Sequence, residues 1–377
     1  MNRLRKWLED RLGLSMFEEF GQKQLYKPVP SHANYAFTLG TAALVVFMTQ
    51  VASGILLAMN YSSGLEQAHV SVHQITFVLP AGWLIRSFHA WGSHLMVIIL
   101  LLHMLRVFWY AGYKKPRELT WLFGCGLLFL MLGFGFTGYL LPMDQVSYWG
   151  TVVATESFMG LPVVGDKVGH IIRGGEEVTN ATLSRFFIVH VLLLPAAVAG
   201  LIAGHLYLVR RLGISPRASV KEEEAQGYEN MMRTEGVPFA HHMYREVTTV
   251  LFVITLQVAL AMLLPFGLGE VATPDATPKG VKPEWYFLPV YQLLKYFPKL
   301  VGILIINGAL AMFVLLPFLD RNPERRPGKR KFMMAAAAIG LLVTLALGVM
   351  GYVADKKIGH YEFDIKGIPH KVEEGAK

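Results

Sequence analysis

The chain has 377 residues, is 53% apolar and only 16% charged, with mean hydropathy +0.41; a soluble domain carries roughly 25% charged residues. This composition excludes a soluble globular protein and describes an integral membrane one. The net charge of +8 does not imply a nucleic-acid partner, because the cations cluster in alternate connections, as the positive-inside rule requires.

Residues 1–32 lack the apolar core of a signal peptide and interleave Trp7, Leu8, Leu12, Leu14 and Phe17 with charges. They read as an amphipathic surface segment or a solvated helix. Seven apolar runs follow, about 33–57, 84–108, 119–141, 184–209, 247–267, 299–319 and 333–354, each long enough to span a bilayer. None alternates as a strand does, so the expected fold is an all-α integral membrane protein of about seven transmembrane helices. Six Lys/Arg precede the first run, six lie from Arg210 to Arg245 and six from Arg321 to Lys331, while 58–83 has none. The N-terminus is therefore expected in the cytoplasm and the C-terminus outside. The one cysteine, Cys125, excludes an intrachain disulfide, a thiolate-bound cluster and a CxxCH haem attachment; mid-run, it reads as a small buried apolar residue.

The expected domains are the surface segment, a four-helix unit over 33–212, a polar cytoplasmic linker at 213–246, a three-helix unit over 247–354 and a polar tail at 355–377. Two long connections, 142–183 and 268–298, fall on the outer side and are rich in Trp, Tyr, Pro and Gly. Long loops of that kind more often build a site than merely connect.

The chemistry rests on four histidines. His89 and His103 are 14 apart in the second run, and His190 and His205 are 15 apart in the fourth. Fourteen helical residues make just under four turns and rise about 21 Å, so each pair puts one imidazole near each side of a bilayer. Both helices run inward, which pairs His89 with His190 at the outer level and His103 with His205 at the inner. Two imidazoles per level suit the axial ligation of an electron-carrying haem iron; zinc or copper would want further ligands. Gly40 and Gly54, then Gly124 and Gly138, repeat the 14-residue spacing in the first and third runs and are read as clearing room for a macrocycle edge. Arg86 and Arg210 are read as propionate partners by their fork geometry; Arg106 is equally a propionate partner or a snorkelling side chain. His94 points about 140° away from His89 and reads as packing or interhelical bonding.

The segment Lys282-Pro-Glu-Trp-Tyr-Phe-Leu-Pro-Val290 resembles the PEWY segment of the cytochrome b / cytochrome b6 family, and Gly138 to Trp149 resembles that family's other outer-site stretch. Leu84 to His89 and Lys114 to Trp121 resemble its second-helix and cytoplasmic-loop signatures. The similarity covers about residues 7–354. The spacing of 15, the PEWY form and seven helices resemble the b6 plus subunit IV branch, fused into one polypeptide. That implies two non-covalent haem b groups and quinol oxidation at an outer site of Met143, Tyr148, Pro283, Glu284 and Tyr286. Glu284 would be the base, with Tyr286 bonding the quinol or a bridging water. One electron would go to a Rieske iron–sulfur protein and a c-type cytochrome, the other across the membrane to an inner quinone site where Arg210 and His32 are candidates. Membrane lipids, a homodimeric complex and the bacterial cytoplasmic membrane complete the expectation. Thr38 stands at the position of the branch's haem-attaching cysteine, so no covalent inner-side haem c is expected. Met143 replaces a tryptophan, which reshapes the outer pocket wall. Two other classes are possible without the resemblance. A dihaem membrane anchor would lack the outer PEWY loop, and a histidine-relay transporter would leave the glycine spacing unexplained.

Overall fold

The computed structural model describes residues 3–159, 165–275, 277–278 and 280–371. Residues 1–2 of the expected surface segment and 372–377 of the expected tail lie outside the described residues. Among those described, six helices are long and apolar enough to cross a membrane: Tyr35–Ala58, Gly82–Trp109, Glu118–Leu140, Asn180–Leu212, Ala240–Leu263 and Lys331–Val353. The all-α expectation holds, with two small sheets added at the ends of the bundle.

The sixth run, 299–319, is divided. Lys299–Val314 ends, and a separate turn, Leu316–Leu319, follows. Pro317 causes the break, since it has no N–H to give the Phe313 carbonyl and its ring crowds that oxygen. The indole of Trp121 donates to the Phe313 carbonyl instead, at 3.1 Å. The segment still traverses the bundle. Lys299 bonds the Glu156 carbonyl at the end carrying the long connections, hereafter outer, and Asp320 pairs with Lys114 at the inner end, 2.9 Å away.

Between the ends lies an apolar core of Ala42, Val46, Phe47, Leu95, Met96, Ile99, Met131, Val198 and Val253. Each of the four helices over 35–212 contributes residues that fall, in sequence, between its two glycines or its two histidines. The core therefore separates two polar levels. Outward faces are apolar too, as with Leu101, Leu102, Leu341 and Leu342, which is how a helix solvated by lipid tails looks.

At the inner end the expected linker is an ordered element. Residues Pro28–Pro30 pair antiparallel with Gly236–Pro238, and the helices Val220–Gln226 and Tyr228–Glu235 lie between. Ser219 and Glu222 close a capping box on the first of these. Glu223 pairs with Arg117 of the four-helix unit at 2.9 Å and with Arg325 of the C-terminal unit at 2.6 Å. The two guanidiniums hold its carboxyl below the usual range against the opposing effect of burial. The following membrane helix begins at Ala240, within the stretch assigned to the linker. At the outer end, strands Lys357–Ile358, Tyr361–Phe363 and Pro369–Lys371 form an antiparallel sheet. The Lys366 carbonyl, in the turn between the last two strands, accepts from Gln292 and Tyr296, so the tail is anchored to the outer loop.

Candidate functional site

The four histidines meet in the expected pairs. The His89 and His190 rings are 6.4 Å apart between centroids, and those of His103 and His205 are 6.5 Å apart. Two metal–nitrogen bonds of about 2 Å, each extended by about 1 Å to the ring centre, place coaxial imidazoles roughly 6 Å apart. Among the described residues no third His, Cys, Asp or Glu joins either pair. The donor set is thus two facing imidazole nitrogens per level, which fits a haem and not a closed zinc site.

Each glycine faces one histidine. A Cβ on Gly40 would lie 3.3 Å from His103 Cε1, on Gly54 3.2 Å from His89, on Gly124 3.6 Å from His205 and on Gly138 2.6 Å from His190. The glycines therefore make room for the imidazoles themselves, which refines the expectation of a macrocycle edge. The unequal spacing also has a local cause. Residues Val189–Leu193 form a π turn in which the Leu194 N–H reaches the Val189 carbonyl. A π turn absorbs one extra residue, so 15 residues bring His190 and His205 into register with 14 on the partner helix. Pro195, just beyond, cannot bond the Val191 carbonyl, which favours the wider turn there.

Hydroxyls orient the outer pair. Ser53 Oγ donates to the Thr49 carbonyl at 2.7 Å and lies 2.9 Å from His89 Nδ1. Thr137 Oγ1 donates to the Gly133 carbonyl at 2.8 Å and lies 3.0 Å from His190 Nδ1. With each hydroxyl hydrogen committed, its oxygen accepts from Nδ1–H. That leaves Nε2 with the bare lone pair a metal needs. The inner pair differs. His205 is buried and has the Thr120 backbone, not a hydroxyl, as its polar neighbour, and His103 Nδ1 has Arg106 Nη2 at 3.4 Å. Arg106 also stacks its guanidinium 4.6 Å over Phe37, with its Nε buried and unbonded.

The arginine expectations change. Arg86 donates to the Phe266 carbonyl at 3.0 Å, the Gly267 carbonyl at 2.9 Å and Thr76 at 3.3 Å, so it holds the start of the outer loop. Arg210 lines an inner-end cavity with Lys23, Tyr26, Lys27 and Pro28, and its carbonyl accepts from Lys27. His32 is half-buried and stacks on Tyr110. Burial and Arg217 push its pKa down to about 4.

At the outer end, the two long connections join. Asp144 bridges Val271, and the Gln145 N–H donates to the Glu270 carbonyl at 2.9 Å. Pro283 leads into a tight turn in which the Glu284 carbonyl accepts from Phe287 at 2.8 Å. Burial pushes the Glu284 carboxyl above its ordinary range, only partly offset by a bond from the Trp285 backbone. The Tyr286 hydroxyl rests against Gly135, where a Cβ would come within 2.5 Å. Glu284 and Tyr286 lie within electrostatic reach of each other, while Met143 and Tyr148 are held by other contacts. Both are buried in a cluster with Leu140, Val178, Leu183 and Phe186, and the Tyr148 phenol faces Glu177 and Arg173. Met143 takes φ +50°, a conformation that bulky residues avoid. Its N–H to Leu140 (2.9 Å) and its carbonyl bond from Ala272 (3.2 Å) hold it there, so it shapes the backbone of the junction more than a pocket wall. Tyr139, within electrostatic reach of Glu284, is the tyrosine that sequence reasoning missed. Its signal was its place directly after Gly138.

These features define a multi-pass helical membrane protein with two buried bis-histidine levels and an acidic residue in an outer loop. The family model described as Cytochrome b/b6/petB matches residues 24–213, and that described as Cytochrome b(C-terminal)/b6/petD matches 271–362. The chain is 38% identical over 334 residues to a cytochrome bc complex cytochrome b subunit of Chlorobaculum thiosulfatiphilum, covering 87% of this chain and 75% of that one. With the cytochrome b/c1 of Bradyrhizobium diazoefficiens it shares 32% over 359 residues, 92% of this chain and 50% of that relative's length. It superposes on a chain of a hyperthermophilic respiratory Complex III with TM-score 0.83 at 30% identity, covering 93% of this chain and 92% of that one. The chain belongs to the cytochrome b/b6 family, a membership that carries haem b binding and an electron-transfer role with it.

Proposed function

We propose that this chain is the dihaem cytochrome b subunit of a bc-type quinol:cytochrome c oxidoreductase, with the b6-like and subunit IV-like units fused. The observation that carries the reading is the pair of facing imidazoles at each of two levels, every ring backed by a glycine. Bound there, two haems would supply a one-electron path between the faces of the membrane. His89 and His190 would hold the outer group and His103 and His205 the inner. Ser53 and Thr137 keep the outer imidazoles in the ligating tautomer. Arg106 has no lone pair to accept His103 Nδ1–H, so it would turn its guanidinium to the carboxylates of the inner group.

Quinol oxidation releases two electrons and two protons. Glu284, desolvated and therefore a stronger base than an exposed carboxylate, would take one proton from the quinol hydroxyl, and Tyr286 would hold the quinol or a bridging water. One electron would leave to a Rieske iron–sulfur protein and a c-type cytochrome, the other to an inner quinone. The inner end offers a neutral imidazole, His32, and the cations Lys27 and Arg210 as quinone contacts. The basic inner end supports a cytoplasmic N-terminus in a bacterial cytoplasmic membrane, and the complex is expected to be a homodimer.

Quinol-driven reduction of the b-type absorbance in membranes tests this reading. Wild type is expected to show it, and Glu284→Gln to slow it by roughly 100-fold, the scale of a lost general base. No quinol-dependent reduction in wild type, or an unslowed Glu284→Gln, would contradict it.

A further inference from the structure

The outer loop is held between the helical bundle and the chain's own tail. On the bundle side, Trp285 Nε1 donates to His94 Nδ1 at 3.0 Å and the Tyr286 hydroxyl rests against Gly135. On the other side, both flanks of the turn at 283–287 reach the tail. Lys282, two residues before Glu284, donates to the Tyr352 carbonyl at 2.9 Å and to the Ala354 carbonyl. Beyond the turn, Gln292 and Tyr296 share the Lys366 carbonyl at 2.8 and 2.6 Å, and Lys295 donates to the Ile365 carbonyl at 3.0 Å.

Each of these donors is a loop side chain, and each acceptor is a backbone carbonyl of 352–366. What the tail contributes is therefore the course of its backbone, and Asp364 sets that course. Its Oδ1 accepts the Lys366 and Ile368 N–H groups at 2.9 and 2.8 Å. Its carbonyl accepts the Gly367 N–H at 2.8 Å, and its own N–H donates to the Ile368 carbonyl at 3.0 Å. The turn thus consumes three successive N–H groups and leaves the Ile365 and Lys366 carbonyls for the loop. Gly367 completes it at φ +74°, where a Cβ would lie 2.6 Å from the Met350 carbonyl of the last membrane helix; glycine alone permits both. Gln292 is 0% exposed, so a displaced Lys366 would leave a buried N–H unpaired.

We propose that the tail turn at 364–368 is a clamp that keeps the Glu284 turn in its quinol-receiving position, with Asp364, Gln292, Lys295 and Tyr296 as positioning residues. The inference rests on quinol oxidation at Glu284, the reading given above. A loop in place for only part of the time binds quinol more weakly by that fraction, while each bound quinol still reacts at full rate. The clamp therefore acts on affinity and not on the chemical step.

The test uses the whole complex, with haem content as the check on assembly. It reads amide exchange across 284–296 by mass spectrometry, and KM and kcat for quinol. Asp364→Ala removes the acceptor that builds the turn. Exchange should quicken roughly tenfold or more. KM should rise about tenfold with kcat within about twofold, the effect of a loop in place about one-tenth of the time. Asp364→Asn keeps an Oδ1 and should stay close to wild type in both readouts. Unchanged exchange in Asp364→Ala, faster exchange with an unmoved KM, or an equal effect of Asp364→Asn overturns the proposal and leaves Glu284 as the base. Should Asp364→Ala lose haem, Tyr296→Phe takes its place, removing one donor from an intact tail. It should move exchange and KM in the same directions, and unmoved values there overturn the proposal. A wild type that oxidises no quinol, or a Glu284→Gln complex that oxidises it at full rate, removes the reading and the proposal together.

Discussion

The two histidine levels share one geometry and differ in what surrounds it. At the outer level both rings rest on hydroxyls, Ser53 and Thr137, and a Cβ added at their glycines would lie 3.2 and 2.6 Å from the imidazole carbons. At the inner level a Cβ added at the glycines would stand 3.3 and 3.6 Å off, no hydroxyl orients either ring, and a buried guanidinium lies beside His103. A cation beside a redox group favours its reduced form, the more so in a low dielectric. A hydroxyl accepting Nδ1–H makes the imidazole a stronger donor and favours the oxidised form. With a haem bound at each level, as proposed, both differences would make the inner level the easier to reduce, the gradient an electron needs to cross from outer to inner.

The largest contrast should come from the glycines. Gly138→Ala places a methyl 2.6 Å from His190 on the rigid third span, and outer haem should be lost. Gly124→Ala, at 3.6 Å, meets only ordinary contact and should keep both haems, as the optical spectrum of reduced membranes would report. Equal losses would break the comparison. Next comes charge. Arg106→Leu should lower the inner midpoint potential by on the order of 60 mV, the one-electron equivalent of a tenfold change, and leave the outer unchanged in a redox titration. Smallest are the hydroxyls. Thr137→Ala or Ser53→Ala should raise the outer potential by roughly half as much. A fall, or a shift at the inner level instead, would assign the hydroxyls another role.

The histidine levels were legible in sequence because both helices are regular enough for spacing to become height. The one irregularity, the π turn at Val189–Leu193, was visible only as an unexplained fifteenth residue. The hydroxyls could have been found, since Ser53 and Thr137 each stand directly before an outer-level glycine. What joins the two units could not. Glu223 lies 106 residues from Arg117 and sits in a polar stretch that reads as linker until its partners are known. His94 was placed correctly off the ligand face, but its partner Trp285 is 191 residues away, so no local pattern tied it to the outer loop. The same holds for Arg86, whose short range from His89 suggested a ligand-side role while its acceptors, the Phe266 and Gly267 carbonyls, lie about 180 residues on. The positive φ of Met143 was likewise out of reach of the sequence, because it is a property of the loop junction and not of the side chain.

The most direct test of the two-level account is a pyridine haemochrome count on the purified chain, before and after acid–acetone extraction, for wild type, His89→Leu and His103→Leu. The account predicts two extractable b haems per chain in wild type and one in each variant, with the outer signal missing from the first and the inner from the second. An undiminished count in either variant, or a haem that resists extraction from a chain whose single cysteine is Cys125, would contradict it.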